Sequence, residues 1–394
     1  MNHQNQSTPN LQSLFLIDPE VAYLNHGSFG ASPKAIFDDY QKWQRALETE
    51  PVQFITKNAF QYLTESKFAL AQFVNCDPDD FFFTPNPTTA INVIMRSLDL
   101  RPGDEILATD HEYGAMDRTW NFYTKKTGAK YVRANITLPI VSKEKILEQF
   151  WSGYSQQTKV VFINHMSSAT ALIFPVKEIC DKAKSLGLIT IVDGAHVPGH
   201  IDLDIRGLNP DFYTGTVHKW LLTPKGSSFL YVKKECQPML DPLVVSWGYE
   251  SAAPSDSQFL DYHEHQGTRD ISAYLTVPAA IKFRKENDWE AAIAQSKKLI
   301  LAHYQSFCDL LGTKPICPVT SEFLGQMCSI PIRTPKPMEL KELLFEKYQI
   351  EIPVMTIGPH TFIRISLNGY NTEQDLDRLR QALIDIKATS DLIQ

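Results

Sequence analysis

The sequence has few features of a disulfide scaffold, a membrane protein or a nucleic-acid-binding protein. Its six cysteines include no CxxC pair and have no histidine at metal-ligand spacing. No run approaches about 18 consecutive apolar residues, and the N-terminus lacks the basic and apolar regions of a signal peptide. The 38 Lys and Arg against 45 Asp and Glu give a net charge of −7 without charge blocks. We therefore expect a cytoplasmic protein with free thiols and no metal, whose partners are neither nucleic acids nor membranes.

The composition is that of an ordinary globular protein with a large core. The chain has 394 residues, of which 43% are hydrophobic and 21% charged. Between about residues 80 and 235, short β-rich runs alternate with amphipathic helical patterns, which is typical of an α/β fold with a mostly parallel sheet. The seven runs are DDFFFT, DEILAT, AKYVRANI, KVVFINHM, LITIVDGAH, DFYTGTVHKW and SSFLYVKK.

The pattern divides the chain into three parts. We expect an N-terminal arm at 1–20, whose first ten residues are polar and mobile, and a large domain at 21–270. A long helical pattern from Ile271 to Phe307 and a strand, helix, strand, helix pattern predict a small α+β domain at 271–394. A helix is also predicted over SPKAIFDDYQKWQRALE, with Ser32 as its N-cap.

Two ionisable residues follow neighbouring strands of the predicted sheet. Asp193 ends the run LITIVD, and Lys219 follows the next run in TGTVHKW. Separately, each has an ordinary explanation, as a turn-capping carboxylate and as a solvated surface lysine. Together they lie at the carboxyl ends of strands, where α/β proteins bind ligands, and burial would lower the pKa of the lysine and make its neutral amine a nucleophile. This pair is what pyridoxal phosphate requires, because the lysine forms a Schiff base and the aspartate keeps the ring nitrogen protonated.

A phosphate site is predicted after the run FFFT. Thr88 and Thr89 begin a helical pattern there, and the free N–H groups of a helix N-terminus favour an anion. The same segment has an ordinary N-cap in Asn86 or Thr88, and the two interpretations are compatible. No GxGxxG or GxxxxGK[ST] motif is present, which disfavours dinucleotide and P-loop sites.

The motifs resemble those of the class V aminotransferase family of fold type I pyridoxal phosphate enzymes. They occur in order over roughly residues 20 to 375, and the isopenicillin N epimerase-like subgroup is the most similar. The motifs are YLNHGSFG (23–30), TPNPTTAIN (84–92), DHEYGAM (110–116), VDGAH (192–196), TGTVHKW (214–220), QGTRD (266–270) and FIRISL (362–367).

The resemblance implies a role for each matching residue. Lys219 matches the Schiff-base lysine, Asp193 the partner of the ring nitrogen, and Arg364 the arginine that binds the substrate α-carboxylate. The other matches are His196 near the ring hydroxyl; Thr88, Thr216 and His218 at the phosphate; Tyr113 stacked on the ring; Asn25 and His26 on the substrate side; and Gly267 and Thr268 reaching the phosphate of the other subunit. The last pair implies a homodimer with shared active sites.

Two departures from the family are informative. Pro87 occupies a phosphate-binding position without the backbone N–H that relatives use, which places more of the contact on Thr88. EIPVMTIGPHTFIR lacks the reactive cysteine of the cysteine desulfurases, and Cys328 lies within an apolar strand pattern typical of the core. A persulfide-forming desulfurase is therefore disfavoured.

The reaction type stays open among enzymes that share these residues. Reprotonation on the opposite face of Cα gives epimerisation, reprotonation on the cofactor gives transamination, and loss of a β-substituent gives a C–S β-lyase. Epimerisation needs a second proton donor, for which Tyr113 or a histidine is the candidate. A non-catalytic cofactor-binding protein is disfavoured because both Lys219 and Asp193 are present. The expected substrate is an amino acid or a small peptide amine.

Overall fold

A computed structural model describes residues 11–394, so the prediction for the first ten residues lies outside the described chain. The strands are β1 (Ala22–Tyr23), β2 (Phe81–Thr84), β3 (Glu105–Thr109), β4 (Lys130–Ala134), β5 (Thr158–Asn164), β6 (Ile189–Gly194), β7 (Phe212–Thr216), β8 (Ser228–Val232), β9 (Met327–Pro331), β10 (Ile350–Glu351), β11 (Val354–Ile357) and β12 (His360–Ser366).

The helices surround these strands. They are α1 (His26–Phe29), α2 (Lys34–Thr49), α3 (Pro51–Gln53), α4 (Ala59–Val74), α5 (Pro87–Ser97), α6 (Gly114–Thr127), α7 (Lys143–Trp151), α8 (Val176–Ser185), α9 (Ile205–Leu208), α10 (Gln258–Glu264), α11 (Ser272–Leu275), α12 (Val277–Glu286), α13 (Trp289–Leu310), α14 (Pro337–Glu346) and α15 (Glu373–Thr389). Short 3₁₀ helices occur at Leu11–Leu14, Pro78–Asp80 and Lys234–Met239, and a π-helical segment occurs at Phe54–Asn58. None of the helices within 11–394 is long and apolar enough to cross a membrane.

Seven strands form a central sheet in the order β2-β8-β7-β6-β5-β3-β4. Strands β4, β3, β5, β6 and β7 are mutually parallel, while β8 is antiparallel to both β7 and β2. Each of the seven predicted runs coincides with one of these strands, with β5 beginning one residue before its run. The α/β fold with a mostly parallel sheet is thus confirmed.

The strands are apolar on both sides because helices cover both faces of the sheet. Neighbouring residues of one strand belong to different buried clusters, as Val161 and Phe162 of β5 show. Such doubly covered strands appear in the sequence as continuous apolar runs. Polar side chains are therefore concentrated where the strands end.

The C-terminal part contains a smaller antiparallel sheet in the order β11-β12-β9. The predicted strands and helices of this part are present as β9, α14, β12 and α15, and the sequence prediction missed β10 and β11. Strand β10 pairs with β1, which joins the beginning of the chain to its end. The domain boundaries at residues 20 and 270 stay a prediction.

Two predicted helix features differ from the structure. The single helix from Ile271 to Phe307 is divided into α11, α12 and α13. The break between α12 and α13 lies at Asp288, whose left-handed conformation (φ 45°) aspartate tolerates better than most residues, and the break between α11 and α12 precedes Pro278 in the first turn of α12. Helix α2 begins at Lys34 after an extended Pro33, and the Ser32 hydroxyl has no hydrogen-bond partner among residues 11–394. Ser32 is therefore not the N-cap.

Candidate active site

The carboxyl ends of three parallel strands bring polar residues together at one edge of the central sheet. Asn164 ends β5, Asp193 is the penultimate residue of β6, and Thr216 ends β7. The register pairs Asp193 with Asn164 on one side and with Thr214 on the other. Lys219 lies three residues after the end of β7, so the amine and the carboxylate lie at the same edge, as predicted.

These side chains line one cavity of about 390 Å³. Nine of the thirteen predicted site residues line it: Pro87, Thr88, Tyr113, Asp193, His196, Thr216, His218, Lys219 and Arg364. The cavity is also lined by residues that the sequence prediction did not name as site residues: Ser28, Phe29, Asn86, Met116, Asn164, Met166, Ser168, Ala195 and Met355. Asn164 lies at the carboxyl end of an apolar strand, as Asp193 does, so its place at the cavity could have been predicted from the sequence. Met355 lies on β11, and nothing in the local sequence indicates that this strand lies near the cavity.

The environment of Lys219 favours its neutral amine. Burial, assisted by the positive charge of Arg364, lowers the pKa of Lys219 to about 7, and Asp193 opposes this shift. The Nζ atom lies 3.4 Å from Nε2 of His196. A large fraction of this amine is therefore unprotonated and nucleophilic at neutral pH.

Asp193 is buried but remains ionised near neutrality. Burial raises its pKa to about 6, while a hydrogen bond from the Ala195 N–H (3.0 Å) and the charge of Lys219 act in the opposite direction. Only 2% of the residue is exposed. Such a carboxylate needs a positively charged partner, and a protonated ring nitrogen would be one.

Helix α5 points its N-terminus at the cavity. Asn86 is the N-cap and accepts a hydrogen bond from the Thr89 N–H (2.9 Å), with Pro87 at the first helical position. The structure thus assigns the cap to Asn86. The N–H of Thr88 belongs to the first helical turn, which has no partner within the helix. This end of the cavity suits an anion.

His218 and Thr216 line the same cavity as the start of α5. The Nδ1 atom of His218 donates a hydrogen bond to the Ser227 carbonyl (2.7 Å), and burial lowers the pKa of the ring to about 4. Its Nε2 therefore becomes a donor only after the ring gains a second proton, which a nearby phosphate favours. The Thr216 hydroxyl donates to the Ala195 carbonyl.

Arg364 is a buried cation whose protein partners are all uncharged. Within the described chain, its four hydrogen bonds go to the Ser168 carbonyl (2.7 Å) and hydroxyl (3.2 Å), the Ser28 hydroxyl (2.9 Å) and Oδ1 of Asn25 (3.4 Å). Burial lowers the pKa of Arg364 to about 10, which leaves it charged at neutral pH. The cavity thus has a fixed positive charge suited to a substrate carboxylate.

Four predicted residues do not line this cavity. Asn25 lies behind Arg364, and its Nδ2 donates to Glu351 (2.9 Å). His26 is fully buried behind the lysine, with Nε2 3.0 Å from the Lys219 carbonyl and Nδ1 2.8 Å from the Tyr370 hydroxyl. Gly267 and Thr268 line a separate cavity of about 320 Å³. The roles predicted for all thirteen residues stay predictions.

The cysteines are remote from this chemistry. All six are free, and none lines the cavity. Cys328 lies on β9 with 1% of its surface exposed, and burial raises the pKa of its thiol well above the ordinary value. Its prediction as a core residue is confirmed. Within residues 11–394, no group of three His, Cys, Asp or Glu side chains is arranged to hold a metal ion.

The parallel sheet with a cavity at its carboxyl edge is typical of α/β proteins that bind small molecules there. Residues 23–379 match the family model described as Aminotransferase class-V, and the chain belongs to that family. It is 33% identical over 383 residues to the isopenicillin N epimerase of Streptomyces clavuligerus, covering 93% of this chain and 95% of the relative.

The chain is also similar to an L-cysteine desulfhydrase in sequence and to a PLP-linked protein in fold. The chain is 27% identical over 405 residues to the probable chloroplastic L-cysteine desulfhydrase of Arabidopsis thaliana, covering 93% of this chain and 83% of the relative. The fold is similar to that of a C-DES mutant with glycine covalently linked to its PLP cofactor. That match has a TM-score of 0.81 and 21% identity, over 96% of this chain and 100% of the other.

Proposed function

We propose that the protein is a pyridoxal phosphate enzyme that acts at Cα of an amino acid or a small peptide amine, with epimerase-like chemistry as the leading reaction. One observation carries the proposal: Lys219, Asp193 and Arg364 line the same cavity at the carboxyl edge of the sheet. The isopenicillin N epimerase relative supports the choice of reaction.

The side chains of the cavity fit this cofactor. A ring nitrogen needs the buried carboxylate of Asp193, and an aldehyde carbon needs an unprotonated amine, which the lowered pKa of Lys219 makes available. A phosphate needs donors, which the first turn of α5 provides at Thr88 together with His218. Pro87 contributes no N–H to that group.

Each residue then has a defined task. Bound pyridoxal phosphate supplies an electron sink for negative charge that develops at Cα. Asp193 holds the proton on the ring nitrogen, and Arg364 holds the substrate carboxylate. The Lys219 amine would hold the aldehyde carbon of the cofactor and, when free, is placed to take the proton from Cα.

Tyr113 supports epimerase-like chemistry. Its side chain is 50% exposed at the cavity, and its phenol lies close enough to Arg364 to raise the pKa of that guanidinium. The cavity thus contains a second proton-bearing group beside the substrate carboxylate. A two-sided proton exchange at Cα requires such a group in addition to Lys219.

Transamination, which needs no second proton donor, is the alternative reaction within the same family. A C–S β-lyase is the second candidate, supported by the cysteine desulfhydrase relative and by the fact that such a lyase needs no reactive cysteine at the cavity. A non-catalytic cofactor-binding role is disfavoured, since it has no use for an amine with the lowered pKa of Lys219.

We also propose a homodimer in which the active sites are shared. Gly267 and Thr268 line the cavity that also contains Phe60 and Trp247, and Trp247 is 91% exposed in the single chain. Ile55, Phe60 and Trp247 are exposed and line the same cavity, and such a contiguous apolar patch is typical of a contact surface. The six free thiols support a reducing, cytoplasmic location.

The test is incubation of the purified holoenzyme with L-amino acids in deuterated water. Solvent deuterium at Cα with racemisation is the expected result for at least one substrate. A keto acid as the main product would indicate a transaminase, and pyruvate with sulfide from cysteine would indicate the β-lyase; either result would replace the epimerase assignment.

Two variants separate the proton donors. Tyr113→Phe should keep deuterium exchange at Cα but lower racemisation by about 100-fold or more, because only the opposite-face proton is lost. Lys219→Ala should abolish both. A protein that stays colourless after addition of pyridoxal phosphate would contradict the proposal as a whole.

A further inference from the structure

A buried aromatic side chain lies directly behind the reactive lysine. The Trp220 indole packs between the rings of His26 and His200, with ring centroids 4.7 and 3.9 Å away. Only 1% of Trp220 is exposed, and its backbone carbonyl accepts a hydrogen bond from Arg284 (3.1 Å). The direction of its indole N–H is therefore fixed by packing on both sides.

The indole N–H points at His196. Trp220 Nε1 lies 3.5 Å from Nδ1 of His196, while Nε2 of His196 faces Lys219 Nζ at 3.4 Å. Burial and the positive charges of Lys219 and Arg364, with smaller contributions from His200 and His26, hold the pKa of His196 well below its ordinary value. The ring is neutral at physiological pH and carries one proton.

The indole determines which ring nitrogen carries that proton. An indole N–H can only donate, so a proton on Nδ1 of His196 would place two donors opposite each other without solvent. An unsatisfied buried donor is costly. The tautomer with its proton on Nε2 avoids this conflict, and its N–H points into the cavity at the neutral amine of Lys219, which can accept it.

The backbone of His196 is held from the same side. The Gln326 N–H donates to Nε2 of His200 (2.6 Å), so the single proton of His200 lies on Nδ1 and is donated to the His196 carbonyl (3.0 Å). Neutral His200 is favoured because burial holds its pKa well below the ordinary value. Both the ring and the backbone of His196 are thus fixed from behind the cavity.

We propose that Trp220 is a positioning residue that holds His196 in the Nε2–H tautomer and so directs a hydrogen-bond donor into the cavity beside Lys219. The consequence for the cofactor rests on the proposed function: the donor would serve the ring oxygen of pyridoxal phosphate. Trp220 itself does not line the cavity and acts through His196.

The tautomer can be measured on the cofactor-free protein by NMR of ¹⁵N-labelled histidine at about pH 8.5, where the Lys219 amine is mostly neutral and does not act as a competing donor, with a His196→Gln variant to identify the resonances. We expect Nε2–H in the wild type and a shift toward Nδ1–H in Trp220→Phe, which keeps an aromatic ring but removes the donor. Trp120→Phe is the matched control, because Trp120 is equally buried and its Nε1 has no hydrogen-bond partner.

The second readout is the pH titration of the holoenzyme absorbance. A donor to the ring oxygen stabilises the deprotonated cofactor, so weakening it in Trp220→Phe should raise the titration midpoint by about half to one pH unit. Trp120→Phe should leave the midpoint unchanged even if its melting temperature falls. A purely structural role for Trp220 would affect stability alone.

Two results would overturn the inference: a wild-type His196 with its proton on Nδ1, or a folded Trp220→Phe variant with an unchanged tautomer and midpoint. If the Trp220→Phe variant does not fold, the inference is tested by the tautomer of His196 in the wild-type protein. Failure of the protein to bind pyridoxal phosphate would contradict only the proposed function, because the tautomer is measured without cofactor.

Discussion

The reactivity of Lys219 depends on two charges of opposite sign. Arg364 contributes to the lowering of its pKa to about 7, and Asp193 works against that lowering. An ordinary lysine with a pKa near 10.4 has only about one neutral amine in a thousand at pH 7.4, whereas a pKa near 7 leaves more than about half of the amines neutral. The cavity therefore prepares the amine before any ligand arrives.

This difference predicts a pH dependence. In the cofactor-free protein, the initial rate of attachment of pyridoxal should increase with pH, with a midpoint near 7, and level off above it, because only the neutral amine reacts. Absorbance of the product gives the rate, and pyridoxal is chosen because it has no phosphate to titrate. An ordinary lysine would continue to gain reactivity up to about pH 10.

Two variants should move this midpoint in opposite directions. Arg364→Gln removes a positive charge and should raise it, whereas Asp193→Asn removes a negative charge and should lower it. Arg206→Gln, at an exposed position, is the control. A midpoint that responds to neither cavity substitution would contradict the assignment of Lys219 as the reacting amine.

Single site residues could be predicted from the sequence where a polar or ionisable residue stands at or just after the end of a recognisable strand. Asp193 and Lys219 were found this way, and Asn164 carries the same signal. Trp220 was not singled out, because its contact with His196 depends on the direction of an indole N–H across residues that are distant in sequence. Similarly, nothing in LNHGSFG indicates that His26 faces the lysine backbone instead of the cavity.

At the scale of elements, the cavity depends on how α5 begins. Asn86 caps this helix and lines the cavity, so the same side chain fixes the first turn and directs its free N–H groups inward. Loss of this cap should therefore affect both stability and ligand binding, whereas loss of a cap on a helix away from the cavity should affect stability alone.

Asn86→Ala should lower the free energy of unfolding by about 1 kcal/mol and weaken pyridoxal phosphate binding by about fivefold, since an anion gains up to about 1 kcal/mol at an ordered helix N-terminus. Ser142→Ala is the matched control, because Ser142 caps α7 in the same way but does not line the cavity. Chemical denaturation and fluorescence titration measure the two effects. Equal losses of affinity in both variants would refute the role of the α5 terminus.

Strands and helices with a clear apolar pattern could be predicted from the sequence. Elements that form only by pairing with residues far away in the chain could not. All seven strands of the central sheet were predicted, because six of them are buried on both faces and appear in the sequence as apolar runs, while the more exposed edge strand β4 still has a β-rich run. Strand β10 has two residues and exists through its pairing with β1, more than 300 positions earlier. The break between α12 and α13 in the predicted helix from Ile271 to Phe307 depends on a single left-handed residue, Asp288, inside an otherwise continuous helical pattern.

At the scale of the whole molecule, residues that the family motifs assign to one active site line two different cavities of a single chain. Lys219 lines the main cavity, whereas Gly267 and Thr268 line the cavity beside Trp247. A second copy of the chain resolves this separation if Thr268 of each copy reaches the main cavity of the other. The two cavities would then be halves of one site in a symmetric dimer.

A mixing experiment tests this arrangement. Lys219→Ala removes the reactive amine, and Thr268→Asp places a negative charge where the partner's phosphate would lie, so each variant alone should be inactive. After equimolar unfolding and refolding together, random pairing yields about half heterodimers, each with one site free of both substitutions, and activity should recover to about a quarter of the wild-type value. If Thr268 served the cavity of its own chain, every heterodimer site would contain one of the two substitutions. Mixing would then restore no activity, and a monomer in sedimentation analysis would contradict the shared site directly.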